Sequence, residues 1–197
     1  MRLSVAIESW PIRGGFTISR GSVTAVELVV VTLEEGPHRG RGECRPYARY
    51  GETPESVAAE IEALRPRLEA GLTRIELTRA ELQGALKAGA ARNALDCALW
   101  DLEAKRAGRP VWALAGLSAP GPVTTAYTLS LDTPEAMAKA AAENRARPLL
   151  KLKLAGPDDL DRVRAVRAAA PDSRLIVDAN EGWTAESYQA LAPALAE

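Results

Sequence analysis

The feature that most constrains the fold is a regular series of apolar, strand-like runs in the second half of the chain. These runs begin at Val123, Leu149 and Arg174, so about 25 residues separate successive strands, which is the period of βα units. Such units place their strands parallel to one another through right-handed crossovers. The sequence therefore predicts strands at 123–131, 149–154 and 174–179, with helices at about 134–147, at 157–169 and from 184 onward.

The first half predicts a different architecture. Three runs are patterned as strands and are expected to form an antiparallel meander: 3–8, 23–33 and 41–44. Helices are expected from Thr53 to about Gly71, at 78–86 and at 90–107, with Thr53 as N-cap and Pro54 as the first helical residue. Gly and Pro cluster at 117–122 and mark a domain boundary.

Composition and charge exclude several classes of protein. The net charge of −1 argues against a nucleic-acid binder, which shows a basic excess or stripe. Cys44 and Cys97 lack a C-x-x-C spacing and make no disulfide framework or zinc site. Glu8 comes too early for a secretory signal, and no apolar run reaches the roughly 20 residues of a membrane span. We expect a cytoplasmic protein with no membrane or nucleic-acid partner.

Two lysines alternate with leucines on the second βα strand, in the run Lys151-Leu152-Lys153-Leu154. Side chains two apart on a strand share a face, so both ammonium groups lie opposite the leucines, toward the interior of a helix-flanked sheet or barrel. Each charge makes the other lysine easier to deprotonate, and a neutral lysine is a base near neutral pH. A solvated strand face is the alternative that the spacing leaves open.

Asp178 ends the third apolar strand and Asn180 follows it. Ligand sites in α/β folds lie at the carboxyl ends of strands, where a carboxylate can hold a divalent cation that stabilises an anion made by removing a proton. A cap of the following turn explains the same two residues equally well. A single carboxylate is a poor Mg²⁺ site, because that ion takes about six oxygen ligands.

Two other places carry polar side chains whose role the pattern leaves open. The loop 42–52 includes Arg49 and Tyr50 and can clamp a carboxylate-bearing substrate, or be an ordinary surface loop. Arg20 precedes a Gly-Ser pair and is equally well explained as a turn residue.

Through these residues the chain resembles the enolase superfamily, in its muconate-lactonizing subgroup, and most closely the L-Ala-D/L-Glu (dipeptide) epimerases. Lys-x-Lys followed by Asp-x-Asn is specific for the superfamily, and the Glu-Cys-x-Pro-Tyr-x-Arg-Tyr-Gly-Glu loop at 43–52 favours the dipeptide epimerases. The resemblance covers essentially the whole chain, through 42–52, 88–102, 125–128, 151–154 and 175–181.

The resemblance implies an α+β capping domain over residues 1–118, followed at 119–197 by the first three βα units of a modified TIM-type (β/α) barrel that is incomplete in this chain. It makes Lys153 the acid/base that removes and returns an α-proton on one face of the substrate, with Lys151 beside it. Asp178 becomes a ligand of Mg²⁺, the implied cofactor, and Asn180 lies near the metal. The residues implied in substrate binding are Arg20, Arg49, Tyr50 and Thr128.

The implied activity is Mg²⁺-dependent epimerisation of a dipeptide such as L-Ala-D/L-Glu through an enediolate, an isomerase reaction in the metabolism of peptidoglycan peptides. A muconate-type cycloisomerase or an o-succinylbenzoate synthase would share the lysines. An alternative of another class is a non-catalytic fragment or subunit that needs the missing barrel half.

The family's other metal ligands and its second, opposite-face lysine would lie beyond residue 197. We therefore expect the chain to be part of a longer polypeptide and to be inactive alone, and a homo-oligomer is compatible with the sequence.

Overall fold

The computed structural model describes residues 1–69 and 75–195, apart from the side chains of 75–78. The chain divides into two compact units. Unit 1 comprises Met1–Pro11 and Ala25–Gly121, and unit 2 comprises Ile12–Thr24 and the chain from Pro122 onward. The tip of the first hairpin therefore belongs to the second unit, whereas the predicted division at residue 118 assigned it to the first.

Unit 1 contains a three-stranded sheet in the order β1-β2-β3. Its strands are β1 (Arg2–Ile18), β2 (Gly21–Glu35) and β3 (His38–Cys44), and the first two continue into the hairpin tip of unit 2. Strands β2 and β3 are antiparallel. The structure thus has the three strands that the sequence predicts, in the order of a meander, and they are longer than the predicted runs.

Five helices of unit 1 are described: α1 (Pro54–Glu62), α2 (Arg65–Glu69), α3 (Ile75–Ala85), α4 (Ala90–Ala107) and α5 (Val111–Leu114). Helix α1 begins where predicted, because Thr53 and Ser56 cap each other's backbone N–H groups. The single helix predicted from Thr53 is divided in two, since Pro66 has no N–H and its ring clashes with the carbonyl four residues earlier. Its predicted end at Gly71 lies outside the described residues.

Helix α4 packs directly onto β3, and two glycines make this possible. A Cβ atom at Gly42 would overlap the carbonyl oxygen of Ala94, and one at Gly40 would lie 2.6 Å from Leu102 Cβ. The helix ends as predicted at Gly108, whose φ of 60° is in the left-handed region. Between helix and sheet lies an apolar core that includes Val29, Val31, Leu33, Ala94, Leu95, Ala98, Leu99 and Leu102.

Unit 2 contains a parallel sheet in the order β4-β5-β6. Its elements alternate, as the sequence predicts: β4 (Tyr127–Leu129), α6 (Pro134–Glu143), β5 (Leu149–Lys153), α7 (Asp159–Ala169), β6 (Arg174–Asp178) and α8 (Ala185–Leu195). No helix within the described ranges is both long enough and apolar enough to cross a membrane.

The first parallel strand is much shorter than the predicted 123–131. Tyr127 pairs with Leu150, so continuing the register backward would place 123–125 opposite 146–148. Those residues lie in the connection before β5 and offer no strand. Val123 is accordingly 87% exposed.

One face of this sheet carries the core of unit 2. The leucines of β4 and β5 pack there against side chains from α6 and α7, and the buried residues of this core are Leu129, Met137, Ala141, Leu150, Leu152, Leu154, Val166 and Ala170. Because side chains alternate along a strand, Lys151 and Lys153 are on the opposite face, as predicted.

Candidate active site

Two lysines and one aspartate meet at the carboxyl ends of β5 and β6. Lys153 and Asp178 are register partners, and the Nζ atoms of Lys151 and Lys153 each lie 2.7 Å from Asp178 Oδ2. Lys153 is only 7% exposed, which is unusual for lysine. The solvated-face alternative therefore does not describe Lys153.

The charge on Asp178 is stabilised by its neighbours. Burial by itself raises the pKa of this carboxyl group. The hydrogen bonds that it accepts from Lys151, Lys153 and the Asn180 N–H favour the charged form, and together they hold the pKa of Asp178 well below its usual range. The group is consequently a carboxylate at neutral pH, already surrounded by positive charge.

The turn that follows β6 places Asn180 beside this carboxylate. Asn180 and Glu181 have φ angles of 49° and 66°, in the left-handed region that few residues other than glycine adopt. The Asn180 N–H donates to Asp178 Oδ1 at 3.0 Å, and the Gly182 N–H donates to the Ala179 carbonyl at 2.9 Å. Asp178 thus caps the turn, as the simpler alternative proposed, and also lies at the strand-end site.

Asn180 Oδ1 is the atom here that best fits a cation. It is buried and has no hydrogen-bond partner among the described residues, and an unsatisfied buried oxygen is costly. Amide and carboxylate oxygens are suitable ligands for Mg²⁺. Within 1–69 and 75–195 no group of three or more His, Cys, Asp or Glu residues could hold a metal. The role of Asp178 and Asn180 as metal ligands stays a prediction.

The tip of the first hairpin contacts this turn. Ser19 Oγ and Arg20 Nη1 donate to the Asn180 carbonyl at 2.8 and 3.1 Å. Arg20 also pairs with Glu181 at 3.2 Å. Arg20 is therefore a turn residue and a neighbour of the site at once, and its substrate-binding role stays a prediction.

Phe16 is a contact that sequence reasoning missed. The centre of its ring is 5.6 Å from Lys153 Nζ, within the range of a cation–π interaction. Only its position as the single Phe of the chain, four residues before Arg20, could have drawn attention to it.

The remaining predicted substrate residues lie in different places. Thr128 is the register partner of Lys151 and is half-buried. Arg49 and Tyr50 belong to unit 1, on the 3₁₀ turn Ala48–Tyr50. Tyr50 is 75% exposed, and its ring centroid is 5.8 Å from that of Tyr47.

Both parts of the chain match known family models. Residues 1–116 match the model of the mandelate racemase / muconate lactonizing enzyme N-terminal domain. Residues 133–197 match the model described as enolase C-terminal domain-like.

Curated relatives include epimerases and racemases. The chain is 48% identical over 192 residues to the L-Ala-D/L-Glu epimerase of Escherichia coli K12, an alignment that covers 96% of this chain and 58% of that protein. It is 43% identical over 158 residues to an N-acetyl-D-glutamate racemase of a Pseudoalteromonas species, with 79% and 48% covered. The chain thus spans about half to three fifths of the length of these relatives.

Solved structures of similar fold hold dipeptides and metal ions. An enolase family member from Agrobacterium tumefaciens with homology to dipeptide epimerases, solved with sodium and L-Ala-L-Glu, is 50% identical with a TM-score of 0.89, covering 98% of this chain and 59% of that one. A dipeptide epimerase from Enterococcus faecalis V583, complexed with Mg and L-Leu-L-Tyr, is 28% identical with a TM-score of 0.85, covering 98% and 58%.

Proposed function

Because this chain belongs to the mandelate racemase / muconate lactonizing enzyme family of the enolase superfamily, we propose that the whole protein is a Mg²⁺-dependent dipeptide epimerase with L-Ala-D/L-Glu as its substrate. The observation that carries the proposal is the buried Lys153 ammonium, 2.7 Å from Asp178 at the strand ends. The names of the relatives support the dipeptide and its glutamate residue.

The chemistry requires a base for a very weak acid. Removal of the proton beside a carboxylate makes an enediolate with two negative oxygens, and enolase-superfamily sites pair a Lys or His base with Mg²⁺ at such an intermediate. We assign Lys153 as the group that takes and returns the proton on one face. Lys151 places a second positive charge beside it, since both ammonium groups lie 2.7 Å from Asp178 Oδ2.

Asp178 and Asn180 are the residues of this chain that would hold the metal. When bound, Mg²⁺ supplies positive charge that stabilises the enediolate. Epimerisation also requires a second acid/base on the opposite face. We place that group and the further metal ligands in the part of the protein beyond this chain, and we therefore expect the 197-residue chain alone to be inactive.

The glutamate carboxylate of the substrate needs a cationic partner. Arg20 Nη1 already binds a carboxylate of this kind, that of Glu181, and the two side chains are 38% and 62% exposed. Exposed ion pairs contribute little stability, so a substrate carboxylate can replace Glu181. We assign Arg20 this role, with Arg49, Tyr50 and Thr128 as further substrate contacts.

Proton exchange in D₂O tests the proposal. With the whole protein and Mg²⁺, we expect the α-proton of glutamate in both L-Ala-L-Glu and L-Ala-D-Glu to be replaced by deuterium, as seen by ¹H NMR, and each diastereomer to yield the other. EDTA should stop both processes. Absence of exchange with every L-Ala-containing dipeptide would refute the proposal.

A second candidate is racemisation of an N-acylated glutamate, which the 43% identity to an N-acetyl-D-glutamate racemase favours. The α-carbon of glutamate would react in both substrates, but the N-acyl compound lacks the ammonium group of the alanine residue. Comparison of kcat/KM for L-Ala-D-Glu and N-acetyl-D-glutamate separates the two, and a higher value for the acetyl compound would favour the second candidate.

A further inference from the structure

We propose that Asp159 is a positioning residue for this site, which holds the loops after β4, β5 and β6 together so that Lys153 and the Asp178–Asn180 pair face one another. The expected effect on catalysis rests on the proposed function. The test also measures Mg²⁺ affinity, which does not depend on the reaction that the protein catalyses.

Asp159 fixes the loop that follows the lysine-bearing strand. Its carboxylate is completely buried. Asp159 Oδ2 accepts from the Gly156 N–H at 2.7 Å, and the Ala155 N–H lies 3.0 and 3.1 Å from the two oxygens. These amides come directly after Lys153 and Leu154, so the carboxylate determines the direction in which β5 ends.

The same carboxylate fixes the loop that carries Asn180. Trp183 Nε1 donates to Asp159 Oδ2 at 2.6 Å, and Trp183 follows the turn Ala179–Gly182. The two loops are also in close contact, since a Cβ atom at Gly182 would lie 3.0 Å from Ala155 Cα. A shift of the Trp183 indole would therefore displace the turn that holds Asn180.

Arg162 extends the connection to the third loop. Its Nη1 atom lies 3.0 Å from Asp159 Oδ1, and its Nε atom donates to the Asp132 carbonyl, in the loop after β4, at 2.8 Å. The Arg162 side chain is only 16% exposed. A buried carboxylate persists only when it is paired and hydrogen-bonded. Here the partners of Asp159 lie in the loops after β5 and β6, and its partner Arg162, on α7, extends the connection to the loop after β4.

A purely structural role would lower stability and leave the site of the folded molecule intact. Two variants separate these roles. Asp159→Asn replaces an acceptor by a donor, and Trp183→Phe removes the indole N–H while keeping an aromatic ring near Tyr188. The control is Asp161→Asn, the same change on the same helix at a side chain that is 71% exposed.

The first readout is the affinity of the whole protein for Mg²⁺ alone, measured by isothermal titration calorimetry. Loss of groups that orient metal ligands costs about 10- to 100-fold in metal affinity or activity. We expect a loss in this range for Asp159→Asn, a smaller loss for Trp183→Phe, and wild-type affinity for Asp161→Asn.

The second readout is deuterium exchange into L-Ala-L-Glu. Lys153 acts in the transition state, so its displacement should lower kcat and change KM little. The double variant Asp159→Asn/Trp183→Phe should lose less than the sum of the two single losses, because both act through one hydrogen bond.

The inference is overturned if Asp159→Asn and Trp183→Phe match Asp161→Asn in both Mg²⁺ affinity and kcat at a temperature where all are folded. If Asp159→Asn does not fold, the inference is tested by the Mg²⁺ affinity and kcat of Trp183→Phe alone. A wild-type protein that binds Mg²⁺ but exchanges no substrate refutes the proposed function, and the Mg²⁺ affinities then still decide this inference. A wild type that does not bind Mg²⁺ overturns both.

Discussion

The sheets of the two units bury very different side chains. In unit 1, β3 packs on α4 through Gly40 and Gly42, and the core between them is apolar. In unit 2, one face of the sheet is equally apolar, but the ends of the strands are not. The buried charged residues among those described, Lys153 and Asp159, both belong to unit 2.

This difference separates packing from chemistry. A buried ion pair is weak evidence for stability, because desolvation opposes the attraction of the charges, and apolar replacements are often neutral or stabilising. The apolar core of unit 1 therefore represents what folding requires. The buried charged residues of unit 2 lower stability relative to an apolar core, and we infer that they are retained for a role other than folding.

The largest expected effect is the loss of activity in Lys153→Met. Removal of a general base costs about 10²- to 10⁴-fold, and exchange on one substrate face should fall by at least this factor. The free energy of unfolding should change by less than about 1.5 kcal/mol, because Met fills a similar volume and Asp178 keeps Lys151 as a partner. NMR exchange and urea unfolding of the same preparation check both statements.

A second effect, on folding rather than chemistry, is expected for Gly42→Ala. The added Cβ would overlap the Ala94 carbonyl and lie 2.6 Å from Ala98 N, and neither is a movable side-chain end. We expect destabilisation of about 3 kcal/mol or more, measured by urea unfolding.

Gly84→Ala is the matched control for this change. Nothing lies within 4 Å of a Cβ atom at Gly84, on helix α3, so alanine should stabilise by about 0.5–1 kcal/mol. Equal results for the two glycines would contradict the proposed tight packing of α4 on β3.

A third, smaller effect concerns the pH dependence of stability without metal. The pKa of Asp178 is lowered in the folded state, so its stabilisation is complete above the unfolded value near pH 4 and is lost as pH falls toward the folded pKa. Between pH 5 and pH 3 in EDTA, Asp178→Asn should therefore lose less stability than the wild type, by about 1 kcal/mol.

Asp172→Asn is the control for the pH experiment, since Asp172 is an exposed carboxylate of the same unit. It should follow the wild type through the acid range. If Asp178→Asn also follows the wild type, the two lysines do not stabilise the charged form of Asp178.

The smallest effect is on thiol reactivity in unit 1. Burial first, and the charge of Glu52 next, raise the pKa of Cys44 from 9.0 to about 11, which lowers its thiolate fraction about 100-fold. Cys97 is exposed. An aromatic disulfide reagent at pH 8 should therefore modify Cys97 in the folded chain and leave Cys44 untouched. Cys97→Ser should abolish this fast reaction, and reaction of Cys44 in the folded chain would show that unit 1 opens readily.

Local patterns predicted much of this fold. The ends of α4 followed from its apolar spacing and Gly108, and alternation along β5 predicted that Lys151 and Lys153 oppose the leucines. The division of the first helix at Pro66 was also available from the sequence, because a proline inside a helix removes a backbone hydrogen bond and kinks or breaks the helix.

Other features depend on contacts between distant segments. The shortness of β4 follows from the register with β5, and the hairpin tip joins unit 2 because it hydrogen-bonds to the loops there, for instance from the Leu131 N–H to the Thr17 carbonyl at 3.1 Å. The contact of Phe16 with Lys153 has the same origin. No local pattern contains such information.

The sequence by itself determined which residues alternate, which strands run parallel, and which strand ends carry Lys153 and Asp178, because these depend on periods of two to about 25 residues along the chain. Only the tertiary structure decided that Lys153 is buried, that Asp178 is held as a carboxylate by two lysines, and that Asp159 together with Arg162 joins three loops. Burial and pairing depend on which distant segments meet, and this is settled only when the units fold.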